Sequence, residues 1–263
     1  MNACEICGST DLSQIKILTV YTHQKPIHIC KNCGLVQVID RRPPKRIYQA
    51  WVNAKPGDVV YKSAEAAVAA RHAYVKAFVP KLSEERFVDI GGGDGKFAAL
   101  FDDCTNWALM AEDLPDEQYA AATILWTLEN CGSCRDVIDS AKRVLKPGGT
   151  LVVATGSRIL APYKKPLWSY VGPGDQDLHP WRFSANTLQR LLIDRGFSIV
   201  DLNHWIDSDY LVVVAKNTPS DEKTKDFVDP WRKVVTYFEN WHSFTQEFYP
   251  CNGPQGTLSE RKN

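Results

Sequence analysis

From Phe87 onward the chain alternates short apolar runs with amphipathic stretches: "FVDI", "GKFAALFDD", "NWALMAED", "AAATILWTL", "CRDVIDSAKRVL", "GTLVVATG", "SANTLQRLLIDRG", "FSIVDLNHW" and "YLVVVAKN". Uniformly apolar runs of about four to eight residues suit strands buried on both faces, and the intervening stretches carry apolar residues at helical spacing. This alternation predicts an α/β fold with a largely parallel sheet and helices on both faces. The last two runs lie close enough in the chain to pair antiparallel at one edge.

Upstream, the alanine-rich "SAEAAVAARHAYVKAFVPKL" predicts a helix capped by Ser63. His72 lies on it and takes no role. Downstream, the polar "NTPSDEKTKD" leads into "DPWRKVVTYFENWHSFTQEFY", with Asp229 as N-cap and Pro230 at the first helical position. Trp231, Val234, Val235, Phe238, Trp241 and Phe248 share one face of that helix. Such a stripe packs on a core or serves as a dimer contact or substrate lid. The insertion "LAPYKKPLWSYVGPGDQDLHPWRF" before the next helix is too long for an idle connection. Its Tyr163, Trp168, Tyr170 and Trp181 either line a substrate site or pack as core.

Lys+Arg and Asp+Glu both number 31, and no long basic run appears, which sets aside a general nucleic-acid binder and favours a small-molecule partner. No apolar run reaches the roughly 18–20 residues of a membrane span. The opening "MNACEICGST" lacks a signal-peptide pattern, so the expectation is a cytoplasmic protein without a membrane partner. In a reducing compartment, paired cysteines point to metal before disulfides.

Of the eight cysteines, Cys4 and Cys7 ("CEIC") and Cys30 and Cys33 ("CKNC") form two C-x-x-C knuckles. The residues between them, including "IKILTVYTHQKPIHI", are rich in strand formers and predict a hairpin. Two knuckles brought together give the four-sulfur shell of a structural Zn2+ ribbon, and Gly8 and Gly34 suit the left-handed turns that follow them. The organisation read from the sequence is a zinc ribbon over 1–45, a main domain over 60–216, and a linker, helix and tail over 217–263. Cys131 and Cys134 share the C-x-x-C spacing, but without the flanking pattern of a thioredoxin-like redox site.

The loop "VDIGGGDGKF" sets Asp89, Gly91, Gly93 and Gly95 in D-x-G-x-G-x-G spacing, with Asp94 inside it. Glycines let the backbone turn sharply and approach a ligand closely. A pyrophosphate site spaces its glycines differently, and Asp94 would repel phosphate, so the loop favours a ligand with a positive centre.

With these residues the chain resembles class I S-adenosylmethionine-dependent methyltransferases, whose first motif has this spacing and contacts the amino-acid part of the cofactor. "AEDLPDEQYAAATILWTLEN", "AKRVLKPGGTLVV" and "FSANTLQRLLIDRGFSIVDL" resemble later family segments in the same order. The resemblance implies a Rossmann-like sheet, S-adenosylmethionine as cofactor, Glu112, Asp113 and Leu114 on its adenosine side, and Glu129 facing it after the fourth strand. The zinc ribbon and "YKSAEAAVAARHAYV" further resemble the group that C-methylates nucleotide-linked sugars. There a His-Glu-His segment supplies a catalytic base; here His179 takes the second histidine's place, while Asp177 and Leu178 stand at the other two positions. His179 would remove a proton beside a carbonyl, leaving an enolate to attack the methyl group.

Family members place two strands and a helix between the glycine loop and the adenine-side acid. Here 16 residues, Lys96 to Ala111, separate Gly95 from Glu112, room for one helix and one strand. The sheet is therefore expected to lack one strand and one helix, with either Glu112 or Asp113 serving the ribose or the ribose carboxylate lost. A non-catalytic protein of the same fold, used for binding or scaffolding, is the alternative this shortening raises.

Overall fold

The computed structural model describes residues 3–21, 26–39, 59–93, 95–107, 114–156, 159, 166–167, 170, 179–203 and 210–248. The main sheet holds β4 (Phe87–Ile90), β5 (Cys104–Trp107), β6 (Tyr119–Leu125), β7 (Leu145–Thr155), β9 (Ser198–Leu202) and β10 (Leu211–Lys216). Their order is β5-β4-β6-β7-β10-β9. The first four run parallel, and β10 lies antiparallel between β7 and β9, the edge pairing expected from the last two runs. Among the described residues a single strand, β5, lies between β4 and β6 in sequence.

Strand period divides the apolar residues between two layers. Phe87, Ala121, Val152 and Val212 face α2 (Val59–Phe78) through Val75 and the following turn through Leu82. Their neighbours Val88, Ala122, Val153 and Val213 face α3 (Cys134–Val144) and α4 (Ala185–Asp194). Helix α2 begins at Val59, so Ser63 lies inside it rather than capping it. The reason is local: no glycine or proline separates Val59 from Ser63. The helix stops because Pro80 disfavours helical geometry at Val79, whose φ and ψ are -121° and 70°. The helix expected over "GKFAALFDD" shrinks to one 3-10 turn, Ala98–Leu100. Phe97 and Phe101 turn inward onto Phe87, with centroids 6.3 and 4.9 Å from its ring, and β5 must begin by Cys104.

A second, antiparallel sheet is ordered β1 (Leu12–Gln14), β2 (Ile27–Cys30), β3 (Val36–Val38) and β8 (Trp181–Arg182). The expected hairpin is interrupted by a short helix, α1 (Lys16–Tyr21). Strand propensity yields there to burial, since the turn places Ile15 and Leu18 together in the core. Strand β8 ends the aromatic insertion and pairs Arg182 with Val36, tying the cysteine module to the main domain.

Helix α5 (Trp231–Phe248) completes the packing. Val234, Phe238 and Trp241 bury against Ile27, Ile29, Val36 and Val38 of the small sheet, so its apolar stripe is core. Tyr170 stacks on the same helix, 4.7 Å from the Trp241 ring, instead of lining a substrate site. Asp229 binds the knuckle: its N–H donates to Cys33 O at 3.2 Å, and its carboxylate accepts from Asn186 Nδ2 at 2.9 Å. Among the described residues no helix is long and apolar enough to cross a membrane.

Candidate functional site

The sulfurs of Cys4, Cys7, Cys30 and Cys33 lie within 4.8 Å of one another. The Cys4–Cys33 and Cys7–Cys30 pairs are 3.5 Å apart. A tetrahedral zinc with sulfur ligands at about 2.3 Å sets its sulfurs about 3.8 Å apart, so the four thiols fit this ion. Gly8 and Gly34 take φ of 71° and 86°, the left-handed turns their positions predict, and donate to Cys4 O and Cys30 O. The cluster reaches the main domain through Glu5, whose Oε1 accepts from Ser133 Oγ at 2.7 Å and the Arg135 N–H at 3.4 Å. A carboxylate at the first turn of α3 also complements the helix dipole.

At the C-terminal end of β4 the glycine loop is braced by Asn106 of β5 and by Thr127, just beyond β6. Gly91, Gly93 and Gly95 have φ of 76°, 55° and 77°. A Cβ on Gly91 would collide with the side chain of Thr127, whose hydroxyl donates to Gly91 O at 3.1 Å. A Cβ on Gly92 would strike both the Asp89 carboxylate and Asn106. Asn106, on β5, also donates to Gly93 O at 3.2 Å. Gly93, by contrast, faces open space. Asn106, Thr123 and Thr127 were not legible as site residues, because each is a single polar position inside or just after an apolar run.

Asp89 is 1% exposed and accepts from Thr123 Oγ1 at 2.7 Å. Burial pushes its carboxyl up to about 6, and the Thr123 hydrogen bond only partly opposes this. The folded value lies above the ordinary 3.8, so the stability this group contributes is full below about pH 4 and is lost as pH rises through 6. Asp89→Asn keeps a Thr123 partner and removes the buried charge. It is expected to raise stability by about 3 kcal/mol at pH 8 and by little at pH 4, measured by urea unfolding; an equal gain at both pH values would contradict this account.

Glu129 lies beyond β6, 1% exposed. Its Oε1 accepts from the Gly156 N–H at 2.9 Å, while Oε2 is buried without a partner among the described residues. Trp126, at the end of β6, adopts φ of 51°, unusual for a bulky residue, and its indole N–H is likewise unpartnered.

The structure does not bring every expected residue together. Asp94, Glu112, Asp113, Tyr163 and Trp168 lie outside the described residues. The Leu114 carbonyl accepts from Arg143 Nη1 at 2.6 Å, and its side chain packs on the main core. His179 adjoins β8, half-buried, with its carbonyl accepting from Arg182 Nη1 at 3.1 Å. Trp181 is fully buried and donates to Cys131 O at 2.9 Å, so its role is core packing rather than lining a substrate site. Cys131 donates to Leu128 O at 3.0 Å, and its thiol is pushed up by burial, the opposite of a reactive cysteine.

The sheet order and the braced glycine loop at the end of its first parallel strand define a class I S-adenosylmethionine-dependent methyltransferase. The chain belongs to the methyltransferase-domain family, whose model matches residues 64–202, more than half of the sequence. No curated protein matches it. Among solved structures, it is similar to a chain of the complex between the Haloferax volcanii Trm112 methyltransferase activator and a methyltransferase, with 13% identity, 65% of this chain and 97% of that one covered, and a TM-score of 0.52. An S-adenosylmethionine-dependent methyltransferase from Thermotoga maritima matches at 19% identity over 66% of this chain and all of its own, TM-score 0.47. The Burkholderia thailandensis 1,6-didemethyltoxoflavin-N1-methyltransferase, solved with that compound and S-adenosylhomocysteine, matches at 17% identity over 72% of this chain and 97% of its own, TM-score 0.48. At these identities the likeness is one of fold.

Proposed function

We propose that the chain transfers a methyl group from S-adenosylmethionine, seated on the loop from Gly91 to Gly95, to a small-molecule acceptor above the C-terminal ends of β6 and β7. Glu129 carries this reading: a carboxylate 1% exposed whose Oε2 has no partner among the described residues. An unsatisfied buried oxygen costs about 1–3 kcal/mol, and its presence calls for a ligand that supplies the missing donor. Asp89, Gly91, Gly93, Asp94, Gly95 and Glu129 are assigned to the cofactor's amino-acid side, and Glu112, Asp113 and Leu114 to its adenosine end. When bound, the cofactor supplies an activated methyl group; the chain's own tasks are orientation and proton removal.

The finer reading is C-methylation of a nucleotide-linked sugar, with His179 taking the proton. Its support is the register of the motif, in which Phe183 is buried and Ser184 caps α4 through a capping box with Thr187. Zn2+ held by Cys4, Cys7, Cys30 and Cys33 would be structural, since four thiolates leave no open position. Mass spectrometry of small molecules released from the purified protein tests both levels. S-adenosylmethionine or S-adenosylhomocysteine is expected, accompanied by a nucleotide sugar if the finer reading holds. A nicotinamide or flavin nucleotide in their place would overturn the assignment.

A further inference from the structure

We infer that Arg71, Trp126 and Tyr210 form the acceptor subsite, and that the acceptor is a planar carboxylic acid. This rests on the methyl-transfer reading above and names a substrate class in place of the nucleotide-linked sugar of the finer reading. Arg71, on α2, stacks its guanidinium 5.2 Å from the Trp126 ring and 5.6 Å from the Tyr210 ring. Trp126 and Tyr210 meet edge-on at 5.3 Å. Three elements thus converge beside Glu129: α2, the end of β6 and the start of β10.

Among the described residues, two polar atoms of this cluster, Arg71 Nε and Trp126 Nε1, are buried without hydrogen-bond partners, beside the Glu129 Oε2 assigned to the cofactor. Buried polar groups are almost always satisfied, so two orphan donors in one cluster point to a ligand. They share a neighbourhood. A Cβ on Gly156 would sit 3.1 Å from Trp126 Nε1 and 3.7 Å from Glu129 Oε1, so a side chain there would crowd the space between them. Trp126 is held with φ of 51°, backbone strain of the kind that persists at ligand sites. Asn203, 1% exposed, fixes the far wall by donating to Tyr74 Oη and Tyr210 O, both at 2.9 Å.

The orphans specify the ligand's chemistry. Arg71 and Trp126 offer two N–H donors and one positive charge, which matches the two oxygens and single charge of a carboxylate. A phosphate would set up to two negative charges against the Glu129 carboxylate. The aromatic faces favour a flat, unsaturated body. Glu129 Oε2 is assigned above to the cofactor's amino-acid side, so the acceptor subsite is specified by Arg71 and Trp126 alone.

Benzoate and its neutral isostere benzamide test this on the full chain saturated with S-adenosylhomocysteine. The indole N–H resonances are followed by NMR, that of Trp126 being identified by its loss in Trp126→Phe. Benzoate is expected to shift the Trp126 resonance saturably, with benzamide binding about tenfold more weakly, the difference between charge-assisted and neutral hydrogen bonds. Arg71→Gln should remove that preference while calorimetry shows unchanged S-adenosylhomocysteine binding. Should Arg71→Gln fail to fold, Arg71→Lys keeps the charge without the fork and should weaken benzoate severalfold. Equal responses to the two probes, an unmoved Trp126 resonance, or a preference that survives Arg71→Gln would overturn the subsite. Loss of cofactor binding with the benzoate response intact would instead overturn the methyl-transfer reading and leave an acid-binding site.

Discussion

With zinc held by the four cysteines as proposed, stripping it with a chelator, or replacing Cys33 with serine, is expected to lower the melting temperature of the whole protein by about 10 °C or more. A detachable ribbon would melt alone. Here Cys4, Cys30, Cys33 and Leu35 belong to the same core as Val88, Ile138 and Leu191. Glu5 and β8 add polar and backbone ties between the module and the main domain. Structural zinc contributes about 10–16 kcal/mol in zinc-finger peptides, and each kcal/mol moves the melting point of a domain this size by about 2–4 °C. Losing even a fraction of that energy through a shared core produces the stated shift. Calorimetry with and without chelator would show one transition moving as a unit. An unchanged main transition, with a small separate one lost, would contradict the shared core.

Gly91→Ala is expected to reduce S-adenosylhomocysteine affinity by at least about 100-fold and to destabilise the protein by about 3 kcal/mol, within the range for overpacking and backbone strain. The residue combines φ of 76° with a Cβ position that would collide with Thr127. Thr127 cannot yield easily, because its hydroxyl donates to Gly91 O and Leu125 O, both at 3.1 Å. Gly93→Ala supplies the contrast. At φ of 55° it carries mild strain but faces open space, so its stability cost should be about 1 kcal/mol. Its added methyl enters the ligand's space and should still weaken binding. Urea unfolding and calorimetry on both variants separate the two effects; equal stability losses would mean that Thr127 does not hold the loop.

The sheet was legible because β6, β7 and β10 carry long, mostly apolar runs and its loop is marked by glycines, signals that survive without tertiary context. The gathering of the four cysteines was legible for the same reason, as spacing and turn glycines encode the geometry of the knuckles locally. Elements whose form depends on what they touch were not. Lys16–Tyr21 reads as strand yet forms a helix that serves the core beneath α5. "GKFAALFDD" reads as helix yet is pulled into one turn by three phenylalanines. The candidate site divides likewise. Asp89 and the glycines announce themselves, whereas Asn106 and Thr127 brace the loop from β5 and from just beyond β6, and Arg71 meets Trp126 only because α2 folds across the sheet.

The central claim is that the braced loop and Glu129 together hold S-adenosylmethionine although, among the described residues, a single strand lies between β4 and β6 in sequence. Isothermal calorimetry of the full chain with S-adenosylhomocysteine tests it most directly. We expect one site per chain with a Kd between about 1 μM and 1 mM, the usual span of enzyme ligands, weakened in Glu129→Gln, which cannot present a charged acceptor. No heat of binding at millimolar S-adenosylhomocysteine, in protein shown to be folded, would contradict it.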